Sequence, residues 1–334
     1  MLLAGDVGGT KTSLAAITAD RGPRSAVYAA RYTSADFPSL AAIVRRFVED
    51  TGIRADRACV GVAGPVVDNR VSVTNLPWLL DGDELAHDLG MTSFRLINDL
   101  EAVANGLLEL LPADTHTLNP GTPVPRGAMA VIAPGTGLGE AYLCWDGRAY
   151  RPHPSEGGHT DFGPIGELQI GLLRYLQARQ EHVSYERVCS GRAIPDIYAY
   201  LRDSGYAAEP PPLAREIESA QDPTPVIARW ALEVAEPNAL CLGALRTFVA
   251  ILAAETANLS LKVLATGGVY LAGGIPPRLL PLLKEEAFLK AFRSKGRLRD
   301  LLSRIPIHVI TYPDVALLGA AHVGLEAAPP QGHS

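Results

Sequence analysis

Short apolar runs separated by glycine-rich turns dominate the first third of the chain, and longer stretches with helical spacing dominate the rest. Runs at 2–6, 12–18, 26–32, 58–62, 70–74 and 94–98 predict strands. Between them Ala41, Ile43, Val44, Phe47 and Val48 form an apolar stripe that predicts a helix over 37–51, and further helices are predicted over 82–89 and 99–110. Strands interleaved with helices indicate an α/β layer whose sheet is mixed, because the first strands are joined as a hairpin. Residues 112–127 hold four prolines and two glycines without periodicity and read as a crossover between domains. A second hairpin follows at 129–143, then helices over 165–179, 191–201, 225–236 and 238–264, with Pro237 breaking the last two apart. Strands at 268–272 and 307–311, a helix opened by Pro276 and Pro277, and a C-terminal helix over 314–326 complete the pattern.

Two of the turns carry candidate chemistry. In Asp6-Val7-Gly8-Gly9-Thr10-Lys11 an apolar strand ends in an acid and then a Gly-Gly-Thr-Lys turn. Adjacent glycines let successive backbone N–H groups converge on phosphate oxygens, and the neighbouring carboxylate suits a hydrated Mg²⁺ bridging them. An ordinary hairpin whose glycines supply φ > 0 explains the same residues. The second hairpin repeats the device as Pro134-Gly135-Thr136-Gly137-Leu138-Gly139, which suggests a duplicated half-domain with one phosphate loop in each half. Neither turn is a Walker A loop, and strand rather than helix follows the second, so neither is a dinucleotide fingerprint.

Composition narrows the class. The 334 residues are 47% hydrophobic, long enough for two domains with substantial cores. A net charge of −6, with no Lys/Arg-rich run, argues against a nucleic-acid partner. Cys59, Cys144, Cys189 and Cys241 are scattered without a C-x-x-C pair, so reduced thiols are expected rather than disulfides or a metal cluster. The apolar stretch 239–265 is interrupted by Arg246, Glu255 and Lys262 and reads as a core helix rather than a membrane span. With Asp6 interrupting the first apolar run there is no signal-peptide pattern, and the expected location is the cytoplasm.

Three polar knots remain. Asn98-Asp99 stands where a strand gives way to a helix; either residue serves as an N-cap, and a carboxylate there also suits proton abstraction from a hydroxyl. Glu156-Gly157-Gly158-His159 brings a carboxylate and an imidazole together in a flexible setting, a pattern able to bind adjacent sugar hydroxyls, with a structural histidine as the alternative. Glu186, before Val188-Cys189-Ser190-Gly191, and Gly273-Gly274 after an apolar strand are weaker signals, readable as a solvated helix residue and a bare turn.

In this order the motifs resemble bacterial glucokinases of the hexokinase/actin-like ATPase superfamily. The resemblance rests on Asp6-Val7-Gly8-Gly9-Thr10, Thr74-Asn75-Leu76-Pro77-Trp78, Ile97-Asn98-Asp99, Pro134 to Gly139, Glu156 to His159, Glu186 to Gly191, Val269 to Arg278 and Phe292 to Arg297. It implies an α/β, two-domain actin-like ATPase (ribonuclease H-like) fold with mixed sheets and an interdomain cleft. It implies a smaller domain from 1–111 and 308–330, a larger one with helical insertions from 112–307, and a frayed tail at 331–334. The implied activity is ATP-dependent phosphorylation of the glucose 6-hydroxyl, with Asp99 as base and Asn98, Asn75, Glu156, His159 and Glu186 as sugar ligands. Asp6, Gly8, Gly9, Thr10, Lys11, Gly135, Thr136, Gly137, Gly273 and Gly274 would hold ATP, Asp6 also organising Mg²⁺ through water. A homodimer is the family expectation.

The chain departs from the glucokinases it resembles at Lys11, where they carry Asn and where it is more like the related repressor/kinase (ROK) family, and after Gly191, where Ser190-Gly191-Arg192-Ala193-Ile194 lacks the Gly-Pro-Gly turn common in glucokinases. The ROK family has a Cys-x-Cys-Gly zinc run after the histidine, but 160–167 contains no cysteine, which selects a zinc-free branch. Alternatives are a kinase for another hexose or an N-acetylhexosamine, a donor such as ADP or polyphosphate, and a sugar-sensing regulator of the same fold, which would need a DNA-binding segment ahead of Asp6.

Overall fold

The computed structural model describes residues 1–326 and falls into two compact units. The first contains Met1–Asp114, Arg151–Pro154 and the segment that begins at Tyr312; the second contains Thr115–Tyr150 and Ser155–Thr311. The expected tail at 331–334 lies outside the described residues.

The first unit contains β1 (Leu2–Val7), β2 (Lys11–Ile17), β3 (Tyr28–Thr33), β4 (Arg57–Val62), β5 (Arg70–Ser72), β6 (Leu79–Asp81) and β7 (Ser93–Asn98). Its main sheet has the order β3-β2-β1-β4-β7, and β5 and β6 form a separate ribbon. β1 is antiparallel to β2 and parallel to β4, which is parallel to β7, so the sheet is mixed. Side-chain alternation divides β1 between two cores. Leu3 and Val7 join Ile43, Val44 and Phe47 of the helix Leu40–Thr51. Leu2 and Ala4 join Ala102 of the helix Asp99–Gly106, and Ala320, Ala321 and Val323 of the helix Val315–Glu326. Those two helices meet at glycines: a Cβ on Gly319 would overlap the Ala102 carbonyl oxygen, and one on Gly106 the Val315 carbonyl oxygen.

The six-stranded sheet repeats the plan with β8 (Thr115–Asn119), β9 (Met129–Pro134), β10 (Leu138–Trp145), β11 (Tyr150–Ser155), β12 (Gly268–Leu271) and β13 (Ile307–Ile310); all but the central residues of its edge strand β11, Arg151–Pro154, fall in the second unit. The order is β11-β10-β9-β12-β13-β8. An antiparallel β9–β10 hairpin lies beside parallel β12 and β13, as β1–β2 lies beside β4 and β7. The helix Ala239–Val263 is long and apolar enough to cross a membrane, but 78% of its most apolar window is buried within this unit.

Several elements differ from the sequence expectation. The first helix starts at Leu40, not 37, because the Ser39 hydroxyl caps it by accepting from Ala42 N at 3.3 Å. The helix begun at Asp99 is α-helical only to Gly106 and tightens to a 3₁₀ turn over Leu107–Glu109. The segment 112–127 is not all crossover, since β8 pairs antiparallel with β13. Pro276 and Pro277 occupy a turn, and the helix after them begins at Leu280. β13 pairs with β12, so the boundary expected at 308 falls inside a strand of the second unit.

Candidate functional site

In the first unit the parallel register aligns Val7, Val62 and Asn98 at the carboxyl ends of β1, β4 and β7. Loops leaving that edge carry Gly8–Lys11, Ala63-Gly64 and Asp99. Ligands of open α/β sheets bind outside this edge.

Asn98 is the N-cap of the helix that follows: its Oδ1 accepts from Leu100 N at 2.9 Å and Glu101 N at 3.3 Å, and its Nδ2 donates to Gly64 O at 2.9 Å. The capping reading therefore holds for Asn98, which leaves the adjacent Asp99 at the first helical position. Asp99 Oδ1 accepts from Leu100 N at 2.9 Å. The half-buried Asp6 carboxyl is pushed up to about 6, chiefly by burial, then by the Asp99 and Asp314 carboxylates, against a lowering by Lys11. Asp99 and Asp314 thus both lie within electrostatic reach of Asp6. Asp314 is itself held by Arg31 Nη2 at 2.6 and 2.7 Å.

The loop Gly8–Lys11 is pinned from below. Gly8 N donates to Lys11 O at 2.9 Å, the Ser34 hydroxyl donates to Gly8 O at 2.9 Å, and Ser34 N donates to Thr10 O at 3.0 Å. Thr12 Oγ1 lies 3.0 Å from Ser34 Oγ, both residues buried. Neither Gly8 nor Gly9 takes a positive φ, so the ordinary-hairpin explanation of these glycines fails. Gly9 is required by space instead: a Cβ there would lie 2.7 Å from Cβ of Asn75. Asn75 is thereby placed against the Gly8–Lys11 loop.

The second unit gathers the other candidates. At the β9–β10 turn Gly135 N donates to Gly137 O at 2.8 Å, and Gly191 N donates to Gly135 O at 2.7 Å. Glu186 N donates to Gly158 O at 2.8 Å, while Glu186 Oε2 accepts from Leu138 N at 3.0 Å. Glu186 is therefore no solvated helix residue; it joins the Gly135–Gly137 turn to the Glu156–His159 loop. Glu156 and His159 are exposed, with His159 Nε2 3.8 Å from Glu156 Oε2. A cavity of about 280 Å³ is lined by His159, Glu186, Ser190 and Arg192, among others. A second, of about 640 Å³, is lined by Gly135, Thr136, Gly274, Ile275 and Leu279 and again by Arg192. Gly273 takes φ 82° and passes so close to Pro134 O that a Cβ would lie 2.7 Å from it, which sets Gly274 at the cavity wall.

Sequence reasoning missed Ser34, Asp314, Arg192 and Glu140. Glu140 is buried on β10, both of its carboxyl oxygens lack a hydrogen-bond partner, and its carboxyl is pushed up to about 8 by burial and by Glu255. The signal was present: an acid inside the apolar strand Leu138–Trp145.

The glucokinase family model matches residues 3–327. A glucokinase of Nostoc punctiforme is 42% identical over 336 residues, covering 96% of this chain and 98% of its own. The chain belongs to the glucokinase family. The crystal structure of a glucokinase from an Antarctic psychrotroph matches with a TM-score of 0.81 at 28% identity, covering 98% of this chain and 99% of that one. A ROK family glucokinase from Streptomyces griseus, solved with glucose and AMPPNP, has a TM-score of 0.66 at 19% identity, covering 98% and 99%. The fold is that of the two-domain actin-like ATPases.

Gly137 offers a test of where Glu186 acts, because a Cβ there would overlap Glu186 Oε2. Gly137→Ala is expected to displace that carboxylate, free Leu138 N, and lower kcat/KM for glucose and for ATP alike by about tenfold, or ~1.4 kcal/mol. Steady-state kinetics with each substrate varied in turn checks this; an effect confined to the glucose KM would assign Glu186 to sugar alone.

Proposed function

We propose that the chain catalyses transfer of the ATP γ-phosphoryl group to the 6-hydroxyl of D-glucose, with Asp99 as general base. Membership of the glucokinase family carries the reaction. The placement of Asp99 at the carboxyl end of β7, beside a glycine loop suited to phosphate, supports the residue assignment. As O6 attacks, the O6–Pγ bond forms, the bond from Pγ to the β-phosphate bridging oxygen breaks, and the hydroxyl proton passes to the Asp99 carboxylate. ADP leaves. Asn98 keeps one amide hydrogen for a neighbouring hydroxyl, and Glu156, His159 and Glu186 are assigned the remaining ring hydroxyls. Gly8 N and Gly135 N are spent within their own turns, so the other backbone N–H groups of the Gly8–Lys11 and Gly135–Gly137 loops are assigned to offset phosphate charge. The cavity bounded by Gly274, Ile275 and Leu279 suits a planar base with apolar faces.

The residues fit a magnesium ion held by few protein ligands. Among the described residues no group of three or more His, Cys, Asp or Glu is arranged to hold a metal. Mg²⁺ commonly takes one or two carboxylates and completes its shell with water and substrate phosphates. The Asp6 carboxylate supplies a hard oxygen ligand, and the Asp99 and Asp314 charges that raise its pKa would equally favour a cation beside it. When bound, the ion would neutralise charge on the phosphates, with Asp6 as its protein anchor. Zinc has no part in the proposal, since Cys59, Cys189 and Cys241 are buried singly among apolar residues. A cytoplasmic homodimer working in glycolysis completes it; the four unpaired thiols are compatible with a reducing compartment.

One coupled assay crossing a panel of hexoses and N-acetylhexosamines with ATP, ADP and polyphosphate tests the reaction: turnover is expected to be greatest with glucose and ATP, and preference for another pair would replace the substrate assignment. Glu156→Gln tests the sugar map. It is expected to raise the glucose KM by about tenfold while the ATP KM stays within about twofold. A larger shift in the ATP KM would move Glu156 to the nucleotide side.

A further inference from the structure

The loop Glu156–His159 rests on a buried pair of acids that the reaction does not use. Glu140 on β10 is 1% exposed, and a Cβ on Gly157 would overlap its Oε2. Glu255, from the helix Ala239–Val263, is 0% exposed and faces the same carboxyl. Glu255 is well provided for: Oε2 accepts from Asn258 Nδ2 at 2.8 Å, and Lys262 Nζ lies 3.5 Å from Oε1. Asn258 Nδ2 also donates to the Tyr185 hydroxyl at 2.8 Å, and Lys295 Nζ donates to Asn258 Oδ1. Glu140 has none of this, since both its oxygens are buried without a partner.

An ionised carboxylate only accepts hydrogen bonds, so two facing carboxylates satisfy neither. One proton between them forms a charge-assisted O–H···O⁻ bond and gives Glu140 its missing partner. We propose that Glu140 is a positioning residue for glucose binding: it shares one proton with Glu255 beneath Gly157, and that protonated pair holds Glu156 and His159 in their binding arrangement. The inference rests on reading Glu156 and His159 as glucose ligands.

The direction of the pH effect follows from the surroundings. The charged and titratable groups around the pair are Lys262, Lys295, Tyr185 and Cys189, and the Glu140 carboxyl is raised by burial first and the Glu255 charge second, with Lys262 opposing. Its proton is fully held at acid pH and lost as pH rises through about 8. Two carboxylates then repel at short range. Glu255 is fixed in a core helix, whereas Gly157 belongs to a loop whose Glu156 and His159 side chains are exposed, so the loop yields.

The test is the pH dependence of each KM from about pH 6 to about pH 10. In the wild-type protein the glucose KM is expected to rise about tenfold across the alkaline limb, while the ATP KM holds. Glu140→Gln supplies a permanent donor and removes the titrating group, so its glucose KM is expected to be flat with pH and near the wild-type neutral value. A flat wild-type profile, or an unchanged alkaline rise in Glu140→Gln, overturns the inference. Infrared spectroscopy of the wild-type protein gives a second readout, a protonated-carboxyl band that disappears over the same pH range; its absence at neutral pH also overturns it. Glu156→Gln separates the two readings: if it leaves the glucose KM unmoved, the sugar map fails, and if it raises that KM while the wild-type pH profile is flat, only the role of Glu140 fails.

Discussion

Asp99→Asn is expected to lower kcat by at least about 10²-fold while glucose binding survives. General-base catalysis contributes about 10²–10⁴-fold, and the amide cannot take the proton from the 6-hydroxyl. The substitution is structurally quiet. Asp99 Oδ1 accepts from Leu100 N at 2.9 Å, and an asparagine oxygen does the same. The helix cap is untouched, because Asn98 supplies it. Glucose quenching of tryptophan fluorescence checks binding, and a coupled assay checks turnover. Near-normal kcat would remove Asp99 from the chemistry. A lost fluorescence response would show that the residue orders the sugar rather than only its proton.

What the sequence disclosed divides by range of interaction. The two hairpins and their glycine turns are legible because each is fixed by neighbours in the chain, β1 with β2 and β9 with β10. The edge strands are different. β11 carries Pro152 and Pro154, and prolines are tolerated in a strand at a sheet edge but remove the local signal for it. β8 is five polar-rich residues whose identity as a strand comes from β13, far along the chain. The site follows the same rule. Asp6, Asp99 and the glycines stand out because an acid or a glycine pair at the end of an apolar strand is a pattern contained within a few consecutive residues. Ser34 beneath Gly8, and Glu255 beside Glu140, act across long separations that no spacing rule reaches. Glu255 in particular reads in the sequence only as an interruption of an apolar helix, though it is the partner of the one unsatisfied acid on β10.

Asp6→Asn is expected to abolish most turnover and yet stabilise the ligand-free protein. The Asp6 carboxyl sits at about 6 in the folded chain against 3.8 as an ordinary side chain, because burial and the Asp99 and Asp314 charges disfavour its ionised form. The sign follows directly. The folded state holds this proton more tightly than the unfolded one, so the stabilisation is fully present below pH 3.8 and is lost as pH rises through about 6. At neutral pH the ionised carboxylate therefore costs the fold up to about 3 kcal/mol, a shift of roughly two units at ~1.36 kcal/mol each. Asparagine has no charge to bury and no proton to lose. Thermal unfolding without ligands is expected to give a higher Tm for the variant at pH 7, the gap closing as pH falls toward about 4. Turnover is expected to fall by about 10²-fold or more, because the anchor proposed for Mg²⁺ is gone, while glucose quenching without nucleotide is unchanged. The kcat/KM of the wild-type protein, which reports groups of the free enzyme, is likewise expected to decline as pH falls through about 6, where Asp6 takes up its proton in the ligand-free protein. A variant with full activity would remove the metal role from Asp6, and one with an unchanged Tm at pH 7 would show that its ionised carboxylate is already compensated within the fold.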